Sequence, residues 1–545
     1  MLRKHQREFE DTIDNIIDGA PIRNIYCHVT PGGGKSLIPI MAGRLIKANL
    51  ADKLIWIAPR LSLTDQAERE FVNPLFRIMF NHSLKIRQST NENNPCRGLD
   101  GFATTFNAAG LDEGLLIEQF RRYRYILIMD EFHHVQEDSL WHEKIAPLWA
   151  LAKYRIPMTG TLERGDNSRI AFTPYRGHGK AITPFLQDSH DTKVIRYTRA
   201  DALAEKAIIP LAFHLSDGSA EWEDNRGRKV RVASMDKMNE EDANKALYTA
   251  LKTEYADHLL STGIRHWQDH ATKYPGSKCL VVTSNITEAK RHIANLSGLS
   301  RCDIATSEDS AAALKVINKM KANKLDVIVT VAMAYEGLSI PEISHIICLT
   351  RIRSVPWIEQ MTARANRISP CGGDYDEQTG HIFAPADPLF KQTMAKIEAE
   401  QTPMLEERKN SRPSSGASED GGGFFLTPAP GGIIPLSSAL LGKREMLLGQ
   451  RDLPPAPEKT SSEQEEELRK DIDDHIKAYC RQNRFKPQIL NYEVLEAMGK
   501  RRQDMTIKEL ERCLSHVRAK YPLTYIRGTG RRVSAKAVPV PCTWR

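Results

Sequence analysis

The stretch His28-Val29-Thr30-Pro31-Gly32-Gly33-Gly34-Lys35-Ser36 separates a short apolar run from a segment with helical periodicity. Ile25-Tyr26-Cys27-His28-Val29 predicts a buried strand, and residues 37–48 predict a helix whose first turn tolerates Pro39. Glycines allow backbone N–H groups to approach phosphate oxygens, and a helix N-terminus adds roughly half a positive charge. The Lys35 ammonium can reach the outer phosphates, and the Ser36 hydroxyl can ligate Mg²⁺. The stretch therefore predicts a phosphate-binding loop that ends a strand and begins a helix; a tight glycine turn beside a lysine is the alternative.

The composition indicates a globular protein with several domains. A chain of 545 residues is too long to fold around a single hydrophobic core. Its contents of hydrophobic residues, 41%, and of charged residues, 27%, are ordinary for a globular protein. We expect no membrane segment and no signal peptide, because no run of 18 apolar residues occurs and residues 1–6 lack the apolar core of a signal peptide. The nine cysteines contain no Cys-x-x-Cys pair, which suggests neither a zinc site nor an iron–sulfur cluster and predicts a cytoplasmic location. A net charge of +7 permits a nucleic-acid partner without requiring one.

Continuous apolar runs predict two α/β domains, each with a doubly wound parallel sheet. The first domain is predicted at residues 1–190, where Lys53-Leu54-Ile55-Trp56-Ile57-Ala58 is one such run. The second is predicted at residues 191–402, where strand-like runs resume at Lys278. Residues 217–241 are charged and weakly patterned, which predicts a surface insertion.

The remainder of the chain differs in composition. Residues 403–460 are rich in Pro, Gly and Ser, which predicts a flexible linker, and their apolar segment 433–448 is predicted to dock on a neighbour or to form a short helix. Capping-box pairs Ser462/Glu465 and Thr506/Glu509 predict helices in a small module at residues 461–545. Residues 524–533 are typical of a β-hairpin with a basic turn, and helices followed by such a hairpin predict a small, mainly helical module of winged-helix-like type. This module and the segment 433–448 are the candidate surfaces for protein partners.

The basic end of the chain has two interpretations of equal weight. No acidic residue follows Glu511, and the last part of the chain is made basic by Arg527, Arg531, Arg532, Lys536 and Arg545. They either lie on duplex phosphates or form a solvated basic tail.

An acidic pair follows a second buried run, about a hundred residues after the phosphate loop. Asp130-Glu131-Phe132-His133 comes directly after Tyr125-Ile126-Leu127-Ile128-Met129. Beside bound phosphates, Asp130 can hold Mg²⁺ and Glu131 can position and deprotonate a water molecule. A solvated strand end is the alternative, which the upstream Lys35 disfavours.

The two stretches together resemble motifs I and II of the superfamily 2 helicases of the DEAD/DEAH (DExH) type. Further segments resemble the other family motifs in the family's order, over about the first 400 residues; they are Leu2-Arg3-Lys4-His5-Gln6, Ala58-Pro59-Arg60 with Gln66, Thr104-Thr105-Phe106, Thr159-Gly160-Thr161, Thr283-Ser284-Asn285, Ala334-Tyr335-Glu336-Gly337-Leu338-Ser339-Ile340-Pro341 and Gln360-Met361-Thr362-Ala363-Arg364-Ala365-Asn366-Arg367. Val29, Leu162 and Ala363 depart from the commonest family residues.

The resemblance implies two tandem RecA-like domains with ATP and Mg²⁺ between them. It implies these cofactor-binding residues: Arg3, Gln6, Pro31, Gly32, Gly33, Gly34, Lys35, Ser36, Glu336 and Gly337. Ser36 and Asp130 are the expected Mg²⁺ ligands, and the expected catalytic residues are Lys35, Asp130, Glu131, Gln360, Arg364 and Arg367. The family also implies a hydrogen bond between His133 and Gln360.

Residues 360, 364 and 367 have the spacing of one helix face, in a helix that Pro356 can begin. Two arginines on that face can stabilise charge on a transferring phosphoryl group. Because they belong to the second domain, hydrolysis would require the two domains to close.

Candidate nucleic-acid contacts lie at the ends of predicted strands. Small hydroxyls and one arginine suit phosphate groups there, and these residues are Arg60, Thr104, Thr105, Thr283 and Thr330. Ordinary turn and capping use is at least as good an interpretation for each threonine.

We therefore expect an ATP-dependent helicase or translocase that acts on DNA in preference to RNA. The preference rests on the likeness of Thr159-Gly160-Thr161 and of the Gln360–Arg367 segment to the DNA-acting branches. An RNA helicase is the first alternative, and an ATP-gated clamp or assembly subunit is the second. The sequence does not indicate an oligomeric state.

Overall fold

The computed structural model of the chain describes residues 2–89, 95, 98–111, 113–162, 168–177, 183–237, 240–296, 298, 301–306, 310–331, 340–409, 434–440, 461–483 and 485–523. They form two compact units, of which the first holds both parallel sheets and the second holds the C-terminal helices. None of the described helices combines the length and apolarity that a bilayer crossing needs.

The described strands, in chain order, are β1 Asn24–Val29, β2 Lys53–Ala58, β3 Ile86–Gln88, β4 Gly101–Thr105, β5 Tyr125–Asp130, β6 Tyr154–Thr159, β7 Tyr175–Arg176, β8 Thr183–Pro184, β9 Thr192–Tyr197, β10 Leu211–Ser216, β11 Gly218–Glu223, β12 Lys229–Val232, β13 Lys278–Thr283, β14 Cys302–Ala305, β15 Val327–Val331, β16 Ile343–Leu349, β17 Gly380–Pro385 and β18 Ile434–Leu440.

The described helices are α1 Lys4–Ile17, α2 Leu37–Ala42, α3 Arg44–Lys47, α4 Leu61–Val72, α5 Pro74–Met79, α6 Phe106–Leu111, α7 Glu113–Arg122, α8 Leu140–Leu151, α9 Arg199–Ala204, α10 Glu240–Lys252, α11 Glu254–Lys273, α12 Ile286–Leu296, α13 Ser310–Lys321, α14 Val355–Thr362, α15 Pro388–Lys409, α16 Ser461–Asn483, α17 Pro487–Met498 and α18 Ile507–Lys520. Short 3₁₀ turns occur at Phe132–His134, Met235–Lys237 and Arg502–Asp504.

The first sheet has seven parallel strands in the order β3-β4-β2-β5-β6-β1-β9. Its apolar core contains Ile25, Ile128 and Ile156 from the three neighbouring strands β1, β5 and β6, all fully buried. These three strands carry the phosphate loop, the acidic pair and Thr159 at their carboxyl ends, where ligands of such sheets bind. Because β9 pairs with β1 along its length, the first sheet extends beyond the boundary predicted at residue 190.

The second sheet has six parallel strands in the order β10-β17-β16-β13-β15-β14. Every residue of β13, β16 and β17 is buried, which explains their continuous apolar character. We call the parts built on the first and second sheets the first and second lobes. The predicted fold class, two RecA-like parallel-sheet domains, is confirmed.

A third, antiparallel sheet of β12, β11 and β18 corrects two predictions. Residues 217–241 are not a mere surface insertion, because Trp222 and Met235 lie in the core of the second lobe. Residues 434–440 dock on a neighbour as predicted, but as a strand rather than a helix. The predicted linker is further shortened because α15 continues to Lys409.

The C-terminal unit is a helical module with its own core. Apolar side chains of α16, α17 and α18 pack together, including Ile472, Leu490 and Leu510. The capping box of Thr506 and Glu509 begins α18 as predicted, whereas α16 begins at Ser461, so Ser462 is not its cap. The predicted basic hairpin at residues 524–533 lies outside the described residues.

Candidate nucleotide-binding site

The phosphate loop connects β1 to α2 through glycines that no other residue replaces easily. Gly32 and Gly34 have φ values of +83° and +89°, in the left-handed region that favours glycine. A Cβ on Gly33 would lie 2.8 Å from the Thr30 carbonyl oxygen. The single helix predicted at residues 37–48 is interrupted at Gly43, where a Cβ would lie 2.3 Å from Leu84 Cδ1.

The first turn of α1 holds this loop from one side. Arg3 Nη1 donates a hydrogen bond to the Gly32 carbonyl at 3.2 Å, and Gln6 Nε2 donates one to the Gly34 carbonyl at 3.2 Å. The side-chain oxygen of Gln6, Oε1, accepts a hydrogen bond from the backbone N–H of Arg3 at 2.9 Å. Arg3 lines the cavity described below, whereas Gln6, 5% exposed, uses both ends of its amide to fix the loop.

The acidic pair lies opposite the loop at the end of β5. Glu131 has a φ of +48°, and its carboxylate accepts a hydrogen bond from the Lys35 ammonium and one from the Gly160 N–H at 3.3 Å. Burial opposes ionisation of Glu131, but the Lys35 charge and hydrogen bond outweigh it and lower its pKa to about 2. Burial and the neighbouring Glu131 charge raise the pKa of Asp130 to about 6, against the attraction of Lys35. The lysine that can hold phosphates is therefore paired with the carboxylate that can act as a base.

His133 links the two lobes. Its Nδ1 lies 2.8 Å from Thr159 Oγ1, and its Nε2 lies 3.2 Å from Gln360 Nε2. Because Nε2 accepts from the Gln360 amide, the ring proton lies on Nδ1, beside Thr159. The hydrogen bond that the family resemblance implied is confirmed.

The arginines of the last motif reach the site from a turn rather than from a helix. Pro356 lies in the first turn of α14 as predicted, but this helix ends at Thr362. Beyond this helix, Asn366 makes two hydrogen bonds. Its backbone carbonyl accepts from the Ile209 N–H at 2.7 Å, and its side-chain amide donates to the Pro31 carbonyl of the phosphate loop at 3.5 Å. The chain therefore leaves the helical path before Arg364 and Arg367, and the predicted helix face is wrong for these two residues.

Both arginines nevertheless face the phosphate loop across one cavity of about 360 Å³. The first lobe contributes Lys35, Ser36, Asp130 and Glu131 to its lining, and the second contributes Gln360, Arg364 and Arg367. Burial and the neighbouring Arg364 lower the pKa of Arg367 to about 9, so it remains charged at neutral pH. Cations and carboxylates from two lobes thus converge on a space of the size that small ligands occupy.

Glu70 is a cavity-lining carboxylate that the sequence analysis did not identify. It lies on α4, and its carboxylate faces the Ser36 hydroxyl and the Gln66 side chain. Burial raises its pKa above the ordinary value, although these two polar groups and the charge of Arg367 act in the opposite direction. Gln66, which together with Ala58-Pro59-Arg60 resembles a family motif, was the sequence feature that pointed to this helix.

The structure contradicts two of the predicted nucleic-acid contacts. Thr283 and Thr330 are fully buried, and their hydroxyls donate to backbone carbonyls, that of Thr283 to the Thr330 carbonyl at 3.0 Å and that of Thr330 to the Ala305 carbonyl at 2.8 Å. Thr105 Oγ1 accepts from the Ala108 N–H at 3.2 Å in the first turn of α6, and Thr104 is 3% exposed. For the threonines, the structural interpretation is therefore favoured, whereas Arg60 stays a prediction.

Glu336 and Gly337, predicted to bind the cofactor, lie outside the described residues.

Comparisons with known proteins agree with this arrangement. Residues 1–164 match the family model of the type III restriction enzyme res subunit, and residues 252–369 match that of the helicase conserved C-terminal domain. The chain is 22% identical over 391 residues to an uncharacterized protein of Mycobacterium leprae, and 21% identical over 394 residues to one of Mycobacterium tuberculosis strain H37Rv. These alignments cover 70% and 71% of this chain and 62% of each relative, so the chain spans less than two thirds of their length.

A solved structure of the Mycobacterium smegmatis helicase Lhr, bound to ssDNA and AMP-PNP, aligns with a TM-score of 0.44 and 14% identity. The alignment covers 73% of this chain and 50% of that one.

One matched model falls in each of the two lobes whose side chains meet at the cavity. The chain thus carries a domain of the restriction-enzyme res-subunit type and a helicase conserved C-terminal domain, and this pair supports its assignment to the superfamily 2 helicases.

Proposed function

We propose that the chain is an ATP-dependent DNA helicase or translocase that hydrolyses ATP in the cavity between its lobes. The observation that carries this proposal is the convergence of Lys35, Glu131, Arg364 and Arg367 on one cavity from two different sheets. The donor set fits a nucleoside triphosphate with Mg²⁺, because cations and a glycine loop suit phosphates while hydroxyl and carboxylate oxygens suit Mg²⁺. Bound ATP would supply the phosphoryl group and Mg²⁺ the charge that neutralises its oxygens.

The side chains then have distinct roles. Lys35 leaves Glu131 to contact the outer phosphates, and Glu131 becomes the acceptor for a proton from the attacking water. Ser36 and Asp130 would hold Mg²⁺. Arg364 and Arg367 stabilise negative charge from the opposite side, which requires the second lobe to remain close.

The test of the site is Lys35→Ala. We expect ATP turnover to fall by about 100-fold or more, because the charge on the outer phosphates is lost. Lys47→Ala is the matched control, since Lys47 is exposed on α3 in the same lobe, and its turnover should equal that of the unaltered chain. Near-normal turnover in the Lys35 variant would contradict the site.

The test of the activity is the ATPase rate without nucleic acid and with single-stranded DNA, double-stranded DNA and RNA. We expect stimulation by DNA, and greater stimulation by RNA would favour the RNA-helicase alternative. Stimulation without strand separation in a fluorescent duplex assay would identify a translocase. Binding of DNA with no hydrolysis would favour an ATP-gated clamp. The preference for DNA is supported by the motif likeness alone.

A further inference from the structure

Five histidines from four elements of the second lobe meet in one cluster, which we call the histidine cluster. Its members are His214 on β10, His266 and His270 on α11, His345 on β16 and His381 on β17. The strands β10, β17 and β16 are neighbours, and His345 and His381 lie directly opposite each other in register. The positions 266 and 270 are one helical turn apart, which places both side chains on one helix face. The cluster lies outside the nucleotide-binding cavity.

The ring nitrogens lie close enough to share an ion. His214 Nε2 lies 3.0 Å from His381 Nδ1, and His266 Nδ1 lies 2.8 Å from His345 Nε2. In each of two sets of three, the candidate ligand nitrogens all lie within 4.8 Å of one another; these sets are His214, His266 and His381, and His270, His345 and His381. Tetrahedral zinc with Zn–N bonds of about 2.0–2.1 Å places its nitrogens roughly 3.4 Å apart. Small side-chain rotations therefore suffice for three of them to converge.

Ser344 fixes the orientation of His345. The Ser344 hydroxyl donates to Ser277 Oγ at 3.1 Å, so its oxygen accepts a hydrogen bond from His345 Nδ1, 2.8 Å away. The proton of His345 is then on Nδ1, and its Nε2 accepts a hydrogen bond from His266 Nδ1, which a bound ion would replace. A partner of this kind on the second ring nitrogen is the usual feature of a metal-ligating histidine.

The cluster has room beside it. His270 and Ser344 line a small cavity of about 10 Å³, about the space of one water molecule. His270 is also only half-buried, which provides an approach from solvent.

We propose that the histidine cluster binds one divalent transition-metal ion, of the Zn²⁺ type, through His270, His345 and His381, with water as the fourth ligand. Imidazole nitrogens suit zinc, copper, nickel and cobalt. One ion is bound because both sets of three need His381, whose neutral ring has a single lone pair. The ion would tie α11 to β16 and β17. This inference is independent of the proposed ATPase activity.

The test is metal binding by the full chain, purified without an affinity tag and stripped with a chelator. We expect one Zn²⁺ per chain in competition with a chromophoric chelator, the absorption bands of tetrahedral cobalt when Co²⁺ replaces it, and a higher unfolding temperature with Zn²⁺ than without. A chain that takes up no ion and shows no cobalt bands would overturn the proposal.

Variants test the ligands. His381→Phe and His270→Phe preserve a planar ring and are expected to weaken Zn²⁺ binding by about 100-fold or more, and Ser344→Ala by about tenfold. His292→Phe is the matched control, because His292 is a fully buried histidine of the same lobe outside the cluster, and it should bind as the unaltered chain does. Circular dichroism checks that each variant folds. Loss of binding in His214→Phe with retention in His270→Phe would overturn the assignment of His270 and His345.

Discussion

At the scale of single residues, Glu70 lies beside Ser36, whose hydroxyl is proposed to hold Mg²⁺. Its carboxylate faces the Ser36 hydroxyl, and a hydrogen bond donated by that hydroxyl to Glu70 would leave the oxygen lone pairs of Ser36 to face the cavity. A partner that orients a metal ligand in this way affects metal affinity without contacting the metal.

Glu70→Ala should therefore raise the Mg²⁺ concentration needed for half-maximal ATP turnover by about tenfold, since partners of this kind are worth 10–100-fold in affinity. Glu70→Gln retains an acceptor for the Ser36 hydroxyl and should restore most of the loss. The measurement is ATPase rate against Mg²⁺ at saturating ATP. An unchanged Mg²⁺ dependence in the alanine variant would show that Ser36 is oriented by other groups.

The site residues that could be predicted from the sequence are those that belong to a short motif. Lys35, Asp130 and Glu131 follow apolar runs that end at one edge of a parallel sheet, so their meeting was foreseeable. Glu70 is an acidic residue on an amphipathic helix, and only tertiary packing turns it toward Ser36. Thr283 and Thr330 show the opposite error, because strand-end hydroxyls satisfied neighbouring carbonyls instead of facing a ligand.

At the scale of elements, β18 stabilises a helix far from it in sequence. Thr253 precedes α11 but makes no side-chain hydrogen bond as its cap. Ser438 of β18 supplies this bond instead, because its Oγ accepts from the Tyr255 N–H at 2.9 Å. The helix that carries two members of the histidine cluster is thus capped by a strand almost two hundred residues away.

Ser438→Ala should lower the unfolding temperature of the second lobe by a few degrees. It leaves a buried N–H without its acceptor, which costs about 1–3 kcal/mol, and each kcal/mol shifts the midpoint of a domain of this size by roughly 2–4 °C. Ser437→Ala is the matched control, because Ser437 is the exposed neighbour on the same strand. Equal midpoints for the two variants, measured by differential scanning fluorimetry, would contradict the capping role.

Helices and strands could be predicted where the hydrophobic pattern of the segment itself indicated them. They could not be predicted where a strand depends on pairing with a segment far away in sequence. The continuous apolar runs of β13 and β16 indicated buried parallel strands correctly. The segment 434–440 is short and lies far from β11 in sequence, so its pairing with β11 could not be inferred. Residues 217–241 have only a weak hydrophobic pattern, and β11 was not predicted there for that reason. The end of α14 was missed because Asn366, rather than helical spacing, sets the path of the chain.

At the scale of the whole molecule, the hydrogen bond between His133 and Gln360 is a polar link from the acidic motif to the second lobe. It joins the residue two positions after the candidate base to the helix that precedes the arginines. A change in the separation of the lobes would therefore alter the surroundings of Glu131, the carboxylate proposed to act as the base.

Gln360→Ala should lower DNA-stimulated turnover about tenfold, within the usual range of coupling between sites, and should leave ATP affinity within about twofold. ATP affinity is preserved because the phosphate loop and Lys35 are untouched. Gln136→Ala, at an exposed position of the first lobe, is the control. Full stimulation by DNA in the Gln360 variant would show that the lobes communicate by another route.

Removal of residues 458–545 should weaken DNA binding about tenfold or more and make it less sensitive to salt, while basal ATP turnover is retained. The physical reason is that the basic end of the chain offers sequence-independent phosphate contacts, whose loss releases fewer counterions. Fluorescence anisotropy at several salt concentrations measures both effects. The double change Arg531→Ala with Arg532→Ala in the full chain isolates the charge, and unchanged DNA affinity in both proteins would give the module another role.

The contact between Lys35 and Glu131 also determines what a measured affinity for ATP would mean. A nucleotide must displace the Glu131 carboxylate from the Lys35 ammonium, so a measured affinity for ATP would reflect the exchange of one anion for another. Weakly binding anions would therefore be excluded, because a ligand binds Lys35 only when it interacts with the ammonium more strongly than the Glu131 carboxylate does.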